Sequence, residues 1–336
     1  MKRPTVADIA RRAGVSKVAV SYALNGRPGV SESTRSRILA IAEEIGWRPN
    51  SAARALRGAR AGAVGLVLSR PARVLGVEPF FMELISGIES TLSEHSCALT
   101  LQVVGDHQRE IEIYRRWWGE SRIDGAFLVD LHRADPRVAA VEALEMPAVV
   151  IGNPVAAGSL PAVWSDDEAA IRETVAYLTA LGHRNLARIA GLPDLVHTTL
   201  RDDAFTRACR GLPHHSIAHT DYTGEEGARA TRHLLSDANR PTAVIYDNDI
   251  MAVAGLSAAQ EMGLDVPRDL SIVAWDDSPI AQVTRPALTA LSRDIAAYGA
   301  HAAETLLARI SGQHAQPFED QTARLTPRGS TAVRTT

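Results

Sequence analysis

Cysteine is almost missing from these 336 residues. Cys97 and Cys209 stand alone, far apart and without metal-ligand neighbours, which argues against a disulfide framework or a zinc site and leaves two small residues expected to be buried. No uninterrupted apolar run approaches the roughly 18 residues of a membrane span, and no apolar segment follows the basic N-terminus as in a secretory signal. A cytoplasmic protein with no membrane partner is expected. Enzyme signatures are missing too: no G-x-G-x-x-G follows a strand, and neither G-x-x-x-x-G-K-[ST] nor G-x-S-x-G occurs. The 11 histidines lack metal spacing, and His214-His215, beside Pro213, reads as a solvated loop. No catalysis, cofactor or metal is expected.

What is present is unevenly placed. The net charge is only -3, but residues 1–60 carry 12 Lys and Arg against 4 Asp and Glu, a net of +8, and the remainder carries 24 against 35, a net of -11. A basic head on an acidic body points to a polyanion that meets the head alone; the alternative is a solvated basic face. A chain of this length also exceeds what one core usually fills, so one small and one large domain are expected.

Thr5 opens a segment in which Val6, Ile9, Ala10 and Ala13 recur at helical spacing up to Gly14, with Asp8 placed to complete the cap. Ser16 caps a second stretch, whose apolar side is Ala19, Val20, Ala23 and Leu24 and which ends at Asn25-Gly26. Two short helices around a Gly-containing turn read as a helix-turn-helix. Ser31 caps a third, with Ile38, Ile41, Ala42 and Ile45 on one face before Gly46. The outward N-terminal positions of the second helix, Lys17, Val18, Ser21 and Tyr22, are those that would enter a major groove. Lys can donate to guanine O6 and N7, Val18 can meet a thymine methyl, and Tyr22 can reach a base edge or phosphate. The alternative for each is an ordinary surface residue.

The run Thr5-Val6-Ala7-Asp8-Ile9-Ala10, Gly14-Val15-Ser16, Val20-Ser21, Leu24-Asn25-Gly26, Val30-Ser31, Thr34-Arg35, Ile38 and Gly46-Trp47-Arg48-Pro49-Asn50 closely resembles the headpiece of the lactose-repressor (LacI/GalR) family. The resemblance implies an all-α helix-turn-helix headpiece over residues 4–49 that binds double-stranded operator DNA. It adds Thr5, Ser16, Asn25 and Ser31 to the residues meeting the major groove and phosphates. Ala19 and Tyr22 depart from the Thr and Arg usual in the family, which leaves the fold alone and bears on the operator sequence. Residues 50–60 form an Ala-rich hinge segment, helix-prone but too short to be stable alone. In the resembled family it folds on the operator, pairs with its dimer mate and lies in the minor groove. Asn50, Ala53, Arg54 and Leu56 are the residues the resemblance places there, Leu56 as a wedge between base pairs. The alternative is a plain linker.

From Gly62 the texture changes. Apolar runs at 63–68, 98–104, 125–129 and 148–151 alternate with helical stretches at 80–93 and 108–118. After Asp166 the rhythm restarts: a helix to Leu181, a strand at 186–190, a helix near 201–210, a strand at 243–246, a helix to Met262 and a strand at 270–274. Strands separated by helices imply parallel sheets, here two α/β lobes over residues 61–330 with a ligand cleft between their strand ends.

This body resembles the family's effector domain, which is similar to periplasmic sugar-binding proteins. The matches include Pro79-Phe80-Phe81, Gly87-Ile88-Glu89, Asp124-Gly125, Leu181-Gly182-His183-Arg184, Asn248-Asp249-Ile250-Met251-Ala252 and Ala274-Trp275-Asp276-Asp277. By resemblance Arg201 clamps effector oxygens, Asn248 and Asp276 take hydroxyls or amines, Tyr222 lines the pocket and Phe80 lies in the covering loop. Arg201 could instead pair with Asp202 or Asp203, Asp276 could cap a turn, and Phe80 could be core. Gly152-Asn153 replaces a Gly-Arg frequent in the family, removing one pocket charge. The expectation is a homodimeric repressor on a palindromic operator, controlled allosterically by a small effector of which a sugar is the first class to test. A solute-binding protein or a small-molecule enzyme of the same two-lobed build are the alternatives.

Overall fold

The computed structural model describes residues 4–47, 60–70, 75–76 and 78–334. The expected hinge residues Asn50, Ala53, Arg54 and Leu56 lie outside the described residues. Contacts within the chain fall into two units, Met1–Ala61 and Gly62–Thr336.

In the first unit α1 (Val6–Ala13), α2 (Lys17–Leu24) and α3 (Glu32–Glu44) start where the polar caps are. Thr5 and Asp8 form a full capping box, Ser16 accepts from the Ala19 amide at 3.1 Å, and Ser31 accepts from the Thr34 amide at 3.4 Å. Gly14 ends α1 with a left-handed φ of 65°, which glycine adopts without a Cβ penalty. The apolar stripes meet as expected: Ile9, Val20 and Ile38 are fully buried, with Ala10, Ala13, Ala23 and Ala42 around them.

The second unit holds two six-stranded sheets. The first lobe is built from β1 (Ala63–Leu68), α4 (Pro79–Glu94), β2 (Ala98–Val103), α5 (His107–Gly119), β3 (Ala126–Val129), α6 (Pro136–Ala143), β4 (Ala148–Ile151) and β5 (Ala162–Trp164). The second takes α7 (Asp167–Ala180), β6 (Asn185–Ala190), α8 (Val196–Ala208), β7 (His214–His219), α9 (Gly224–Leu235), β8 (Ala243–Tyr246), α10 (Asp249–Glu261), β9 (Ser271–Trp275), α11 (Pro279–Val283) and β10 (Thr289–Ser292). The chain then returns to the first lobe with α12 (Ile295–Ile310) and β11 (Phe318–Glu319), and ends in the second with β12 (Arg324–Thr326). The orders are β11-β5-β4-β3-β1-β2 and β12-β10-β9-β8-β6-β7, parallel except for the β10–β12 pair. Strands covered on both faces must be apolar throughout, which is why β3, β4 and β8 are unbroken apolar runs.

Three readings need correction. His214 and His215 begin β7, an edge strand paired with β6, whose first three side chains are exposed and so need no apolar content. The helix expected near Arg201 starts at Val196, where no side chain caps it and so no signal marks its start. Cys209 is buried, but Cys97 is only half-buried. Short strands such as β5 and β11 carry too few residues for a pattern.

The return of α12 is made possible by two glycines. It packs along α4 so closely that a Cβ on Gly87 would lie 1.9 Å from the Ala296 carbonyl oxygen, and one on Gly299 would lie 2.3 Å from that of Leu84. Backbone atoms cannot rotate away. Gly87→Ala is therefore expected to destabilise the body by about 3 kcal/mol, the upper end of overpacking costs, read as a lowered urea midpoint; a midpoint within error of the parent would refute the close crossing.

Candidate functional site

The outward face of α2 is as the helix period requires. Lys17 is exposed, Val18 is 60% and Tyr22 37% exposed, and Ser21 is half-buried, while Val20 and Ala23 point into the core. Tyr22 packs beside Gly29, whose φ is 110°. The remaining headpiece candidates are partly occupied. Thr5 donates its hydroxyl proton to Asp8 at 2.7 Å and Ser31 donates to Thr34 at 2.9 Å, so both hydroxyls serve their caps. Asn25 turns its amide onto the Ser21 carbonyl at 2.5 Å.

The body holds a cleft between its lobes, open to solvent. Its walls are the C-terminal ends of the parallel strands, where ligands sit in open α/β sheets. The residue directly after β3 is Asp130, after β8 Asp247, after β9 Asp276 and after β10 Arg293, and all four line the cleft. Among the expected residues Phe80, Arg201, Tyr222 and Asp276 line it as well. Asn248 does not: its side-chain oxygen accepts from the Met251 amide at 2.8 Å as the cap of α10, and its NH2 donates to the Tyr222 carbonyl at 3.1 Å.

Arg201 pairs with Asp167 across 34 residues, its Nε donating at 2.8 Å, rather than with Asp202 or Asp203. Its guanidinium stacks 3.6 Å from the centre of the Trp275 ring. Asp247, fully buried, takes Arg188 at 2.5 Å and Arg201 at 3.5 Å; burial works against its charge, but the two guanidinium groups hold its pKa below the ordinary value. Tyr222 gives its ring face to Arg70 at 4.4 Å, while its hydroxyl bonds His197 at 2.7 Å and Thr198 at 3.0 Å. Burial, helped by the Arg201 charge, pushes His197 down to about 4, so this imidazole is neutral near pH 7. Asp130 is half-buried, which works against its charge, but Arg70 at 2.8 Å holds it down to about 2.

Asp276 and Glu78 behave differently. Burial raises Asp276 to about 6, even with Arg293 and Arg201 pulling the other way. Burial raises Glu78 to about 7, opposed by Arg70 and by the Asn248 amide beside it. Among the described residues five buried polar atoms on the cleft lining have no hydrogen-bond partner: Arg70 Nη1, Glu78 Oε2, Trp275 Nε1, and Asp276 Oδ1 and Arg293 Nε, which face each other at 3.8 Å, beyond hydrogen-bond distance. Unmet groups of this kind cost about 1–3 kcal/mol each and mark a surface built for something else to complete. Strain points the same way, since Asp130, Tyr222 and Asp276 line the cleft with left-handed φ of 51°, 68° and 66°. Among the described residues no cluster of His, Cys, Asp and Glu could hold a metal, and no helix is long and apolar enough to cross a membrane.

Sequence reasoning missed Arg70, Glu78, Asp130, Asp247, Trp275 and Arg293. A usable signal existed for Asp130, Asp247 and Arg293: a charged residue directly after an apolar strand. Glu78 follows no strand and gave none.

Comparisons with known proteins agree with this geometry. The model of bacterial regulatory proteins of the lacI family matches residues 5–50, and that of the periplasmic binding protein-like domain matches residues 175–331. The HTH-type transcriptional regulator CelR of Thermobifida fusca is 31% identical over 94% of each chain. A solved LacI family transcriptional regulator from Bifidobacterium animalis subsp. lactis is 38% identical, covers 82% of this chain and all of its own, and superimposes with a TM-score of 0.76. A solved transcriptional regulator CelR–cellobiose complex is 29% identical over 98% of this chain and all of its own, with a TM-score of 0.72. A helix-turn-helix headpiece and a two-lobed binding body thus define a DNA-binding regulator of transcription. The chain belongs to the lacI family of bacterial regulatory proteins. The expected family and fold are borne out, and its relatives are regulators rather than enzymes.

The raised carboxyls make a stability prediction. From about pH 4 to about pH 7 the folded chain keeps protons on Glu78 and Asp276 that the unfolded chain has released, so these groups stabilise the fold at low pH and lose that contribution as pH rises. Glu78→Gln is expected to raise the thermal midpoint at pH 8 by roughly 2–4 °C, a gain that fades by pH 5. His197 works in the opposite direction in both proteins and cancels in the comparison. A gain that does not vary with pH would contradict the buried-carboxyl account.

Proposed function

We propose that this protein is an effector-controlled repressor that binds a near-palindromic operator as a homodimer. The observation that carries the reading is the presence, in one chain, of an exposed recognition face on α2 and a cleft whose buried polar atoms lack partners. Lys17, Val18, Ser21 and Tyr22 would read the major groove, and residues 50–60 would occupy the minor groove with Leu56 as the wedge. Two headpieces are needed because one makes too few contacts for useful specificity. A surface for pairing is at hand where Leu101 and Val103 of edge strand β2 and Met82 of α4 are 45%, 43% and 61% exposed.

The effector would sit in the cleft, with Arg201 and Asp276 as fork and acceptor, Tyr222 and Phe80 as aromatic walls, and Asn248 acting through Tyr222 and Glu78, which it touches. A sugar is favoured by the mixture of carboxylates, N–H donors and ring faces, and a relative of the same length, CelR, was solved with cellobiose. Repression rather than activation is supported by relatives such as CytR of Escherichia coli, a transcriptional repressor 32% identical over 92% of this chain.

Selection of bound genomic fragments by the purified full chain tests the reading. A palindrome with half-sites about 10 base pairs apart should emerge, and no preference over random duplex at low salt would reject it. On that operator Lys17→Ala should weaken binding about 10-fold, the scale of one good base contact, with the sugar response kept. Asp276→Ala should remove the sugar response with operator binding kept, and an unchanged dose response would take Asp276 out of the site.

A further inference from the structure

The charges on the cleft walls narrow the ligand further than its being a small effector, a narrowing that rests on the effector-controlled reading. Among the described lining residues three arginines face five carboxylates. Each arginine is already engaged: Arg70 with Asp130 at 2.8 Å, Arg201 with Asp167 at 2.7 Å, and Arg293 beside Asp276 at 3.8 Å. Asp247 is held from beneath by Arg188.

Glu78 is left over. It stands at the N-cap position of α4 without capping the helix, is only 7% exposed, and has an oxygen with no partner. Across the cleft, Asp276 offers a second unmet oxygen from the other lobe. Interspersed with these are three N–H groups with no acceptor, on Arg70, Trp275 and Arg293.

A ligand that completes this wall must donate to carboxylates on both lobes and accept from N–H groups in the same space. Hydroxyls do both without bringing a charge. A phosphate accepts only, so it would leave the two unmet carboxylate oxygens without a donor and add negative charge where acids already outnumber bases. An ammonium group donates only, and would leave the three N–H groups without an acceptor.

We infer that the cleft takes an uncharged, polyhydroxylated ligand, an unphosphorylated sugar, hydrogen-bonded by Glu78 from one lobe and Asp276 from the other, and that Glu78 excludes phosphorylated sugars. Sugar and sugar phosphate are then distinguished by a single buried acid that touches the ligand.

The test is calorimetric titration of the full chain at pH 8 with glucose, cellobiose and glucose 6-phosphate, and at about pH 6.5 with the neutral sugars and glucosamine, whose amine is charged there, paired with operator-fragment retention in the same samples. At least one neutral sugar should bind, with glucose 6-phosphate at least about 10-fold weaker than that sugar. Glu78→Gln should weaken the neutral sugar about 10-fold and shrink the gap to the phosphate. The inference is overturned if the phosphate or the amine binds as tightly as the neutral sugars, if Glu78→Gln leaves the gap unchanged, or if nothing in the panel binds. The wild-type comparison stands even if the variant does not fold. A sugar phosphate that binds and alters operator retention would overturn this inference and leave effector control standing. A neutral sugar that binds without altering retention would do the reverse.

Discussion

A charge taken out of water must be met by another charge or dipole, and the body of this protein is arranged around that requirement. Parallel strands buried on both faces carry apolar residues to their last position, and the first polar residue after each emerges at the same end of the sheet. Two sheets with their ends facing bring Asp130, Asp247, Asp276 and Arg293 to one cleft. Most of these charges find partners inside their own lobe. Those that do not leave unmet oxygens and N–H groups toward the space between the lobes, and that incompleteness is the chemical content of the site.

The headpiece was almost wholly legible because everything that shapes it is local. Its caps lie three residues from the amides they accept from, and its core follows from three stripes at helical spacing. The long apolar strands were legible for the same reason. The partners of the cleft residues were not, because Arg201 meets Asp167 and Arg188 meets Asp247, 34 and 59 residues away, and no periodicity encodes such pairs. Asn248 illustrates a second limit. A residue type suited to binding hydroxyls is equally suited to capping a helix, and the cap of α10 claims its oxygen here. Glu78 illustrates a third, since its importance lies in the partner it lacks.

The distribution of bonds across the cleft bears on how occupancy could be felt elsewhere. Among the described residues the strong pairs lie within lobes: Arg70–Asp130 in the first, Arg201–Asp167 and Arg188–Asp247 in the second. Between lobes the contacts include Arg70 over the Tyr222 ring, Arg293 over the Phe80 and Tyr298 rings, the Asn248 amide beside Glu78, and the start of α8, where Val196 packs in the core of the first lobe and its amide donates to the Leu131 carbonyl at 2.8 Å. Separating a buried ion pair costs about 3–5 kcal/mol, whereas a cation–π contact is worth about 0.5–2 kcal/mol. The lobes can therefore change their angle at the expense of weak contacts while every strong pair stays made. Coupling between two binding sites is typically about 1–3 kcal/mol, which a few ligand hydroxyls shared between Glu78 and Asp276 can supply only if the cross-lobe contacts they compete with are of that size. A cleft pinned by an ion pair from lobe to lobe would need more than such a ligand offers, and in that sense the placement of the salt bridges decides whether the body can serve as a switch.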